Sequence, residues 1–280
     1  MEPALSMLVH GMSKVGKSLL AASTPAPRVY FDVESAARFL PIRGIQWDPR
    51  DPPPSWSKTS DWDTAVVSVR EWQDAQRTFD WLHGGKHPFR SASVDSISEL
   101  QYRYIEDVAG RNQVKLQDWG SVLRIVGGFM RDLRDLTFHA NHPLEAVVVT
   151  AMTKETGDGM LRPHLQGQLN TVVPYLMDVT AYLFVEADNK TGQEVRKLRT
   201  RRLPGRIEAG ERVGGRIPAI VTLPQVTGSS TAEIAARNTT FSKLIKLVFK
   251  DGGPLMAEPA VVSTIGDASA STGEGKEEDV

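Results

Sequence analysis

The stretch LVHGMSKVGKSLL, residues 8 to 20, decides the fold of this chain. An apolar run enters a loop with glycines at two fixed places, a lysine and a serine follow, and leucines resume at once. The segment from Gly11 to Ser18 fits the pattern G-x-x-x-x-G-K-[ST] of phosphate-binding loops. Apolar residues from Met7 to Val9 predict a buried strand before the loop, and Lys17 to Ala22 predict a helix after it. Strand, loop and helix therefore occur in the order that phosphate binding needs.

Each residue type in this loop suits the binding of a nucleotide. Gly11 and Gly16 permit a backbone path that points successive N–H groups at an anion, and the helix N-terminus adds a favourable field. Lys17 would reach the β- and γ-phosphates, and the Ser18 hydroxyl would ligate Mg²⁺. We therefore expect ATP and Mg²⁺ as cofactors. The residues expected to hold the nucleotide are Gly11, Met12, Ser13, Lys14, Val15, Gly16, Lys17, Ser18 and Leu19.

Acidic side chains follow two further predicted strands. RVYFDVES places Asp32 and Glu34 at the end of a β-rich run, and FRSASVDSISEL places Asp95 at the end of another. Ligands of open α/β sheets bind beyond the carboxyl ends of the strands, so these acids should converge on the loop. Asp95 is then the expected second residue of the magnesium site, beside Ser18. A cap of the helix that begins near Ser96 is an alternative role for Asp95, compatible with the first.

The residue that activates water for hydrolysis must be found elsewhere. Many ATPases carry a glutamate directly after this aspartate, but here Ser96 occupies that position. Glu34 is the best candidate, because its carboxylate could hold a water molecule in line with the γ-phosphate. A surface or helix-capping role for Glu34 stays open, and Glu99 is a weaker candidate. The predicted catalytic residues are thus Lys17, Glu34 and Asp95.

The order of these blocks resembles that of a known family. GMSKVGKS, FDVES and SVDS, with a glutamate two residues after an aspartate in the second block, resemble the RecA-type ATPase core. Within that type, the chain more closely resembles the compact RecA-like ATPases of bacteriophages, including the Sak-type single-strand annealing proteins. Three further blocks support the likeness, which covers residues 5 to about 225: QDWGSVLRIVGGFMRDL at 117–133, EAVVVTAMTKE at 145–155 and PHLQGQLNTVVPYLMDVTAYLFV at 163–185.

This resemblance implies an α/β fold and a role on DNA. The expected architecture is a RecA-like P-loop NTPase with a mainly parallel central sheet flanked by helices, followed by a C-terminal hairpin and helix. The implied activity is ATP-driven recombination or annealing. One departure concerns the glutamine with which RecA proteins sense the γ-phosphate, since the matching place reads TAMT, residues 150–153. Thr150, Thr153, Gln166 or Gln168 could take over that task.

The chain divides by composition into three parts. Residues 1–225 form the predicted ATPase core, which includes a loop at 41–63 that is too proline-rich for a regular element. Residues 226–253 form a predicted amphipathic helix, because Ser230 and Glu233 match a capping box before an apolar stripe. Residues 254–280 are small, polar and finally acidic, and we expect a disordered tail.

Two segments of the core are candidates for DNA contacts. Residues 154–172 lack periodicity and predict a flexible loop at the place where RecA relatives bind DNA, with a mobile hairpin as the alternative. A concentration of positive charge follows, comprising Arg196, Lys197, Arg199, Arg201, Arg202, Arg206, Arg212 and Arg216. It would form a DNA-backbone surface, supply Arg199 or Arg201 to a neighbouring subunit's nucleotide site, or merely face water.

Composition excludes some classes of protein. With 280 residues, 40% hydrophobic and 24% charged, the chain can bury the core of one large domain. It has no cysteine, which excludes disulfides, thiolate metal ligands and cysteine nucleophiles. A net charge of -1 gives no global reason to bind nucleic acid, so such binding needs a local surface. Since no apolar run approaches a membrane span, we expect no membrane contact and a cytoplasmic location, the host cytoplasm if a phage encodes the chain.

The sequence thus predicts a Mg²⁺-dependent ATPase that binds single-stranded DNA as a homo-oligomeric ring or filament and promotes annealing. A single-strand binding protein is a further candidate partner. One alternative is a helicase loader or another replication motor. A second alternative, of a different class, is a nucleotide-gated DNA-binding scaffold that hydrolyses little ATP.

Overall fold

A central sheet dominates the computed structural model, which describes residues 3–110, 113–188 and 192–249. Eleven strands of these ranges join in one sheet, whose main path runs β11-β9-β8-β1-β6-β5-β2-β4-β3, with β10 on β8 and β7 on β6. The strands are β1 Leu5–Gly11, β2 Arg28–Asp32, β3 Gly44–Gln46, β4 Thr64–Ser68, β5 Ser91–Asp95, β6 Ala146–Glu155, β7 Leu161–Pro163, β8 Val179–Ala187, β9 Glu194–Arg199, β10 Gly210–Glu211 and β11 Ile220–Thr222. The α-helices are α1 Lys17–Ala21, α2 Trp72–His83, α3 Ile97–Ala109, α4 Leu116–Asp135, α5 Leu169–Leu176, α6 Thr231–Arg237 and α7 Thr240–Phe249.

The seven strands from β8 to β3 along this path pair in parallel. Strands β1, β2 and β5 are buried on both faces, as parallel strands covered by helices must be. The carboxyl ends of β1, β2, β5 and β6 consequently lie along one edge of the sheet. The predicted α/β class, with a mainly parallel sheet flanked by helices, is confirmed.

Helices cover both faces of the sheet with separate apolar cores. One core receives the apolar sides of α2, α3, α4 and α5, and the other receives those of α1 and α7. The stripe predicted along α4 points inward, with Val126, Met130 and Leu133 fully buried. Burying each such side chain contributes roughly 1.5–3 kcal/mol relative to leaving it in water. The two cores hold the strands, and therefore the edge that carries the polar residues, in a fixed position.

Two segments predicted to be irregular contain strands. The proline-rich loop at 41–63 includes β3, which extends the sheet by pairing with β4. In the segment 154–172, β6 continues to Glu155 and pairs antiparallel with β7. The expected flexible loop is therefore wrong, and the hairpin alternative is closer. Edge pairing of three-residue strands supplies backbone hydrogen bonds without the long apolar pattern that reveals a strand in sequence.

The C-terminal part contains two helices instead of the predicted single one. The break lies at Asn238, whose side-chain amide donates a 2.9 Å hydrogen bond to the carbonyl of Leu19. The backbone N–H of Phe241, at the start of the second helix, donates a 2.9 Å hydrogen bond to the hydroxyl of Ser23. These bonds attach the C-terminal helices to α1. Residues 250–253 of the predicted helix and the predicted acidic tail at 254–280 lie outside the described residues.

In the described ranges, no helix combines the length and the apolar character that crossing a bilayer requires.

Candidate functional site

The loop between β1 and α1 has the backbone path that its glycines predict. Gly16 adopts φ +100°, and Lys14 has φ 62°, a conformation in which non-glycine residues are uncommon. At Gly11 the constraint is space, because an added Cβ atom would lie 2.4 Å from the carbonyl oxygen of Leu183 on β8. A side chain at Gly11 would thus push β8 away from β1.

Lys17, the first residue of α1, closes this loop with its side chain. Its ammonium group donates hydrogen bonds to the carbonyls of Gly11 (3.0 Å) and Met12 (2.8 Å). Burial lowers the pKa of Lys17, while the negative charges of Asp95 and Glu34 raise it. The structure therefore brings together the three residues predicted to be catalytic, Lys17, Glu34 and Asp95.

Asp95 lies at the end of β5 and accepts hydrogen bonds from two hydroxyl groups. The Tyr30 hydroxyl donates a 2.6 Å hydrogen bond to its Oδ2 atom, and the Thr150 hydroxyl donates to its Oδ1 atom. The side chain of Ser18 lies near the Tyr30 hydroxyl and acts to lower its pKa. Burial, followed by the charge of Asp95, raises the pKa of Tyr30 well above its usual value, so the phenol stays neutral. Ser18 and Asp95, the predicted magnesium pair, thus both lie beside the Tyr30 hydroxyl.

Glu34 follows β2 and faces the start of α3. The hydroxyl of Ser96 donates a hydrogen bond to Glu34 Oε1. Partial burial raises the pKa of Glu34 above its ordinary value. The hydrogen bond from Ser96 opposes this rise, and the negative charge of Asp95 adds to it. Ser96 is also the N-cap of α3 and accepts a bond from the Glu99 backbone N–H, so the capping role considered for Asp95 belongs to Ser96.

The other acids near this edge have structural partners. Asp32 accepts hydrogen bonds from the backbone N–H groups of Ala36 (2.9 Å) and Ala37 (3.2 Å), which fixes the turn after β2. Glu99 forms an ion pair with Arg103, with 3.2 Å between Oε1 and Nη2. Neither contact involves the loop, which leaves Glu34 as the better placed of the two glutamates.

Sequence reasoning missed His10, which immediately precedes the loop. The ring is fully buried, with Nδ1 at 3.0 Å from the Thr153 hydroxyl and Nε2 at 2.7 Å from the carbonyl oxygen of Glu208. Because a carbonyl only accepts, Nε2 carries the proton and Nδ1 accepts from Thr153. Burial lowers the pKa of His10 to about 4, so the ring is neutral at pH 7. A histidine inside an otherwise apolar strand was the available signal.

Arg196 on β9 is a second residue that sequence reasoning did not single out. An added Cβ atom at Gly16 would lie 3.0 Å from Arg196 Nη1 and 3.1 Å from its Cδ atom, so the arginine lies directly against the loop. The two arginines favoured for a neighbouring subunit's site have other surroundings. Arg199 pairs with Tyr182 across β8 and β9, and Arg201 lies near Gly215.

The rest of the predicted basic segment divides into paired and exposed residues. The Lys197 ammonium lies 2.6 Å from Glu186, Arg212 donates to the Tyr175 carbonyl, and Arg216 donates to the Val248 carbonyl at 3.1 Å. The remaining three are exposed, and we call them the basic surface: Arg201, Arg202 and Arg206.

This basic surface is attached to both the β6–β7 hairpin and β1. The backbone N–H of Leu161 donates to the carbonyl of Arg206 at 2.7 Å, and that of Glu208 donates to the carbonyl of Leu161 at 3.0 Å. His10 directly precedes the phosphate-binding loop and also hydrogen-bonds to the Glu208 carbonyl. The His10 side chain therefore connects that loop to the segment that carries the basic surface.

The side chains present suit a magnesium-bound polyphosphate. Within the described ranges, the half-buried ammonium of Lys17 donates only to neutral carbonyls, so its charge lacks a directly bonded anion. A hydroxyl on Ser18 and a buried carboxylate on Asp95 supply oxygen donors, which Mg²⁺ prefers. Cation, hydroxyl and carboxylate are joined at one edge of the sheet, as nucleotide chemistry needs.

Comparison with protein families and solved structures gives three findings. The family model described as AAA domain matches residues 4–212, well over half of the chain. A KaiC-like protein of Pyrococcus horikoshii OT3 is similar with a TM-score of 0.40 and 11% identity over 79% of this chain and 89% of that chain. The flagellar accessory protein FlaH of Methanocaldococcus jannaschii gives a TM-score of 0.41 and 11% identity over 79% and 90%. No curated protein matched the chain.

Proposed function

The chain belongs to the AAA domain family, and from that premise we propose that it is an ATPase that binds ATP with Mg²⁺ at the loop from Gly11 to Leu19. The observation that carries this proposal is the meeting of Lys17, Asp95 and Glu34, whose charges influence one another at the carboxyl edge of the sheet. A cation beside two carboxylates, at a loop whose glycines permit phosphate binding, suits phosphoryl transfer better than mere anion binding.

Each residue has a separate task in this proposal. The loop backbone and Lys17 hold the phosphates, and Ser18 and Asp95 hold Mg²⁺, with Tyr30 fixing their relative positions. Bound Mg²⁺ would neutralise charge on the phosphoryl oxygens. Glu34 is the base that orients water, because its raised pKa improves a carboxylate as a proton acceptor and the Ser96 bond fixes its orientation.

The test is phosphate release by the purified protein and its Lys17→Ala variant at varied Mg²⁺. Wild type should release phosphate only with Mg²⁺, and the variant should lose both release and ATP binding. Lys86→Ala, which removes an exposed lysine on the opposite edge of the sheet, is the matched control and should behave as wild type. Equal release by wild type and Lys17→Ala would remove the loop from the reaction.

We further propose that the protein acts on single-stranded DNA, as a homo-oligomeric ring or filament, in phage recombination or annealing. The basic surface supports this proposal, since three exposed guanidinium groups on one connected segment suit a phosphate backbone. Its attachment to His10 supports a dependence of DNA binding on the nucleotide. Annealing of complementary strands, measured with and without ATP, tests the role.

A nucleotide-gated scaffold with little hydrolysis is the second candidate, and one observation favours it. The hydroxyl of Thr150, which stands where RecA relatives have their sensing region, donates to Asp95, so its donor is already used. Phosphate release measured with and without single-stranded DNA separates the two candidates. Release that DNA strongly stimulates excludes the scaffold.

A further inference from the structure

The contact between Arg196 and Gly16 joins the second hairpin strand to the phosphate-binding loop within one chain. Arg196 lies on β9, which pairs with β8, and β8 pairs with β1 just before the loop. Side chains of a strand alternate between faces, and Leu198 on the same face as Arg196 belongs to the core that also contains Leu20 of α1. The position of Arg196 over α1 is therefore fixed by the sheet.

The guanidinium of Arg196 has few partners for a group in this position. In the part of the chain that the structure describes, its one hydrogen bond goes from Nη2 to the carbonyl of Pro224, at 3.3 Å. Among the described residues no carboxylate forms an ion pair with it, whereas the neighbouring Lys197 is paired with Glu186. Burial lowers the pKa of Arg196, and no negative charge of a described residue offsets this effect. A partly buried cation without a counter-charge is costly, which indicates that an anion belongs beside it.

We propose that Arg196 is a nucleotide-binding residue that acts within its own chain, with its guanidinium contacting the phosphate groups held by the loop from Gly11 to Ser18. This inference rests on the proposed ATP binding and deepens it. A guanidinium suits the task because its planar set of N–H donors matches phosphate oxygens and it stays charged at any physiological pH.

The same contact gives Gly16 a second reason to be glycine. Its φ of +100° already disfavours a side chain, and a Cβ atom there would also lie 3.0 Å from Arg196 Nη1, closer than an ordinary van der Waals contact. The loop thus leaves room for a cation on the side facing β9, in addition to Lys17. A packing role for Arg196, through Pro224 and the side chains around α1, is the competing explanation that an experiment must separate.

Equilibrium binding of the slowly hydrolysed analogue ATPγS with Mg²⁺, measured by calorimetry, provides the test. Arg196→Gln keeps a polar side chain of similar length but removes the charge, and we expect affinity to fall about tenfold, as for loss of one charge-assisted hydrogen bond. Arg196→Lys should retain part of the affinity. The difference between wild type and Arg196→Gln should shrink at high salt, and it should not depend on protein concentration because the contact lies within one chain.

Lys197→Gln is the matched control, because it removes a positive charge from the adjacent residue on the opposite face of β9. It should bind ATPγS as wild type does. The melting temperature of each nucleotide-free variant shows whether folding is affected. Wild-type affinity in Arg196→Gln, or an equal loss in Lys197→Gln, overturns the inference while leaving ATP binding intact. Failure of wild type itself to bind ATPγS overturns the proposed function and this inference together.

Discussion

The hydroxyl of Tyr30 donates a 2.6 Å hydrogen bond to the carboxylate of Asp95, between adjacent strands of the sheet. The side chain of Ser18 lies near the same hydroxyl, so Tyr30 adjoins both proposed magnesium residues. Residues that orient a metal ligand are often needed nearly as much as the ligand itself. This geometry leads to a prediction about a residue that would not touch the nucleotide.

Removal of the Tyr30 hydroxyl should weaken the magnesium site. We expect Tyr30→Phe to raise the Mg²⁺ concentration for half-maximal phosphate release about tenfold. This is the lower end of the loss in metal affinity that follows when a hydrogen bond to a metal ligand is removed. The variant should also lose about 1–2 kcal/mol of unfolding free energy, since Asp95 is buried and would lack one donor. Mg²⁺ titrations of phosphate release and urea denaturation measure the two effects.

Tyr182→Phe is the control for this substitution. Tyr182 is also a buried tyrosine of the sheet, but it packs against His10, with 5.2 Å between ring centroids. Its replacement should leave the Mg²⁺ requirement unchanged. An unchanged requirement in Tyr30→Phe as well would mean that Ser18 and Asp95 do not need the Tyr30 hydroxyl.

Replacement of Glu34 should separate hydrolysis from binding. Glu34→Gln keeps a side chain of the same size but cannot accept a proton, so we expect phosphate release to fall at least about a hundredfold while ATPγS affinity changes little. Because the pKa of Glu34 is raised, wild-type turnover should decline with falling pH at a value above the ordinary 4.5 of a glutamate. Steady-state rates over a pH series measure this decline.

Glu99→Gln tests the weaker candidate for the same role. Glu99 pairs with Arg103 and should tolerate the change with turnover close to wild type. If Glu99→Gln loses hydrolysis and Glu34→Gln retains it, the assignment of the base is reversed.

Features set by short sequence patterns could be predicted from the sequence, whereas features that depend on contacts between distant residues could not. The loop from Gly11 to Ser18 is a local motif with its own spacing, and Asp95 and Glu34 stand at strand ends that apolar runs reveal. Tyr30 looks like any other aromatic in a buried strand, because its partner Asp95 lies 65 residues away. The break at Asn238 likewise depends on Leu19, 219 residues earlier, and the asparagine by itself is a weaker helix-ending signal than a glycine or a proline.

The burial of two histidines should make stability depend on pH. Burial lowers the pKa values of His10 and His87 to about 4 from 6.5, so the unfolded chain binds more protons than the folded one between these values. Stability is therefore fully present above pH 6.5 and falls as the pH drops towards 4. Between pH 7.5 and 5.5, each of these histidines should lower the free energy of unfolding by about 1 kcal/mol. Urea denaturation at the two pH values measures this loss.

His87→Gln should reduce this loss without removing it, because His10 and His164, whose pKa values burial also lowers, would still contribute. His83→Gln, which changes an exposed histidine of the neighbouring helix, should leave the loss unchanged. The raised pKa values of Asp32 and Glu34 act in the opposite direction, since protonation favours the folded state at such groups. A flat stability between pH 7.5 and 5.5 would contradict neutral, buried rings.

The basic surface should determine the salt dependence of DNA binding. Each phosphate contact contributes about 0.7 to the slope of log affinity against log salt for single strands, so neutralising Arg201, Arg202 and Arg206 to Gln should reduce the slope by about 2. The control neutralises three other exposed cations, Lys86, Lys243 and Lys246, and so changes net charge equally. Fluorescence anisotropy of a labelled single strand at several salt concentrations measures both variants. If DNA binds at the basic surface, only the arginine variant should show a smaller slope of log affinity against log salt. Equal reductions in both variants would mean that net charge alone attracts DNA. No reduction in either variant would mean that DNA binds elsewhere.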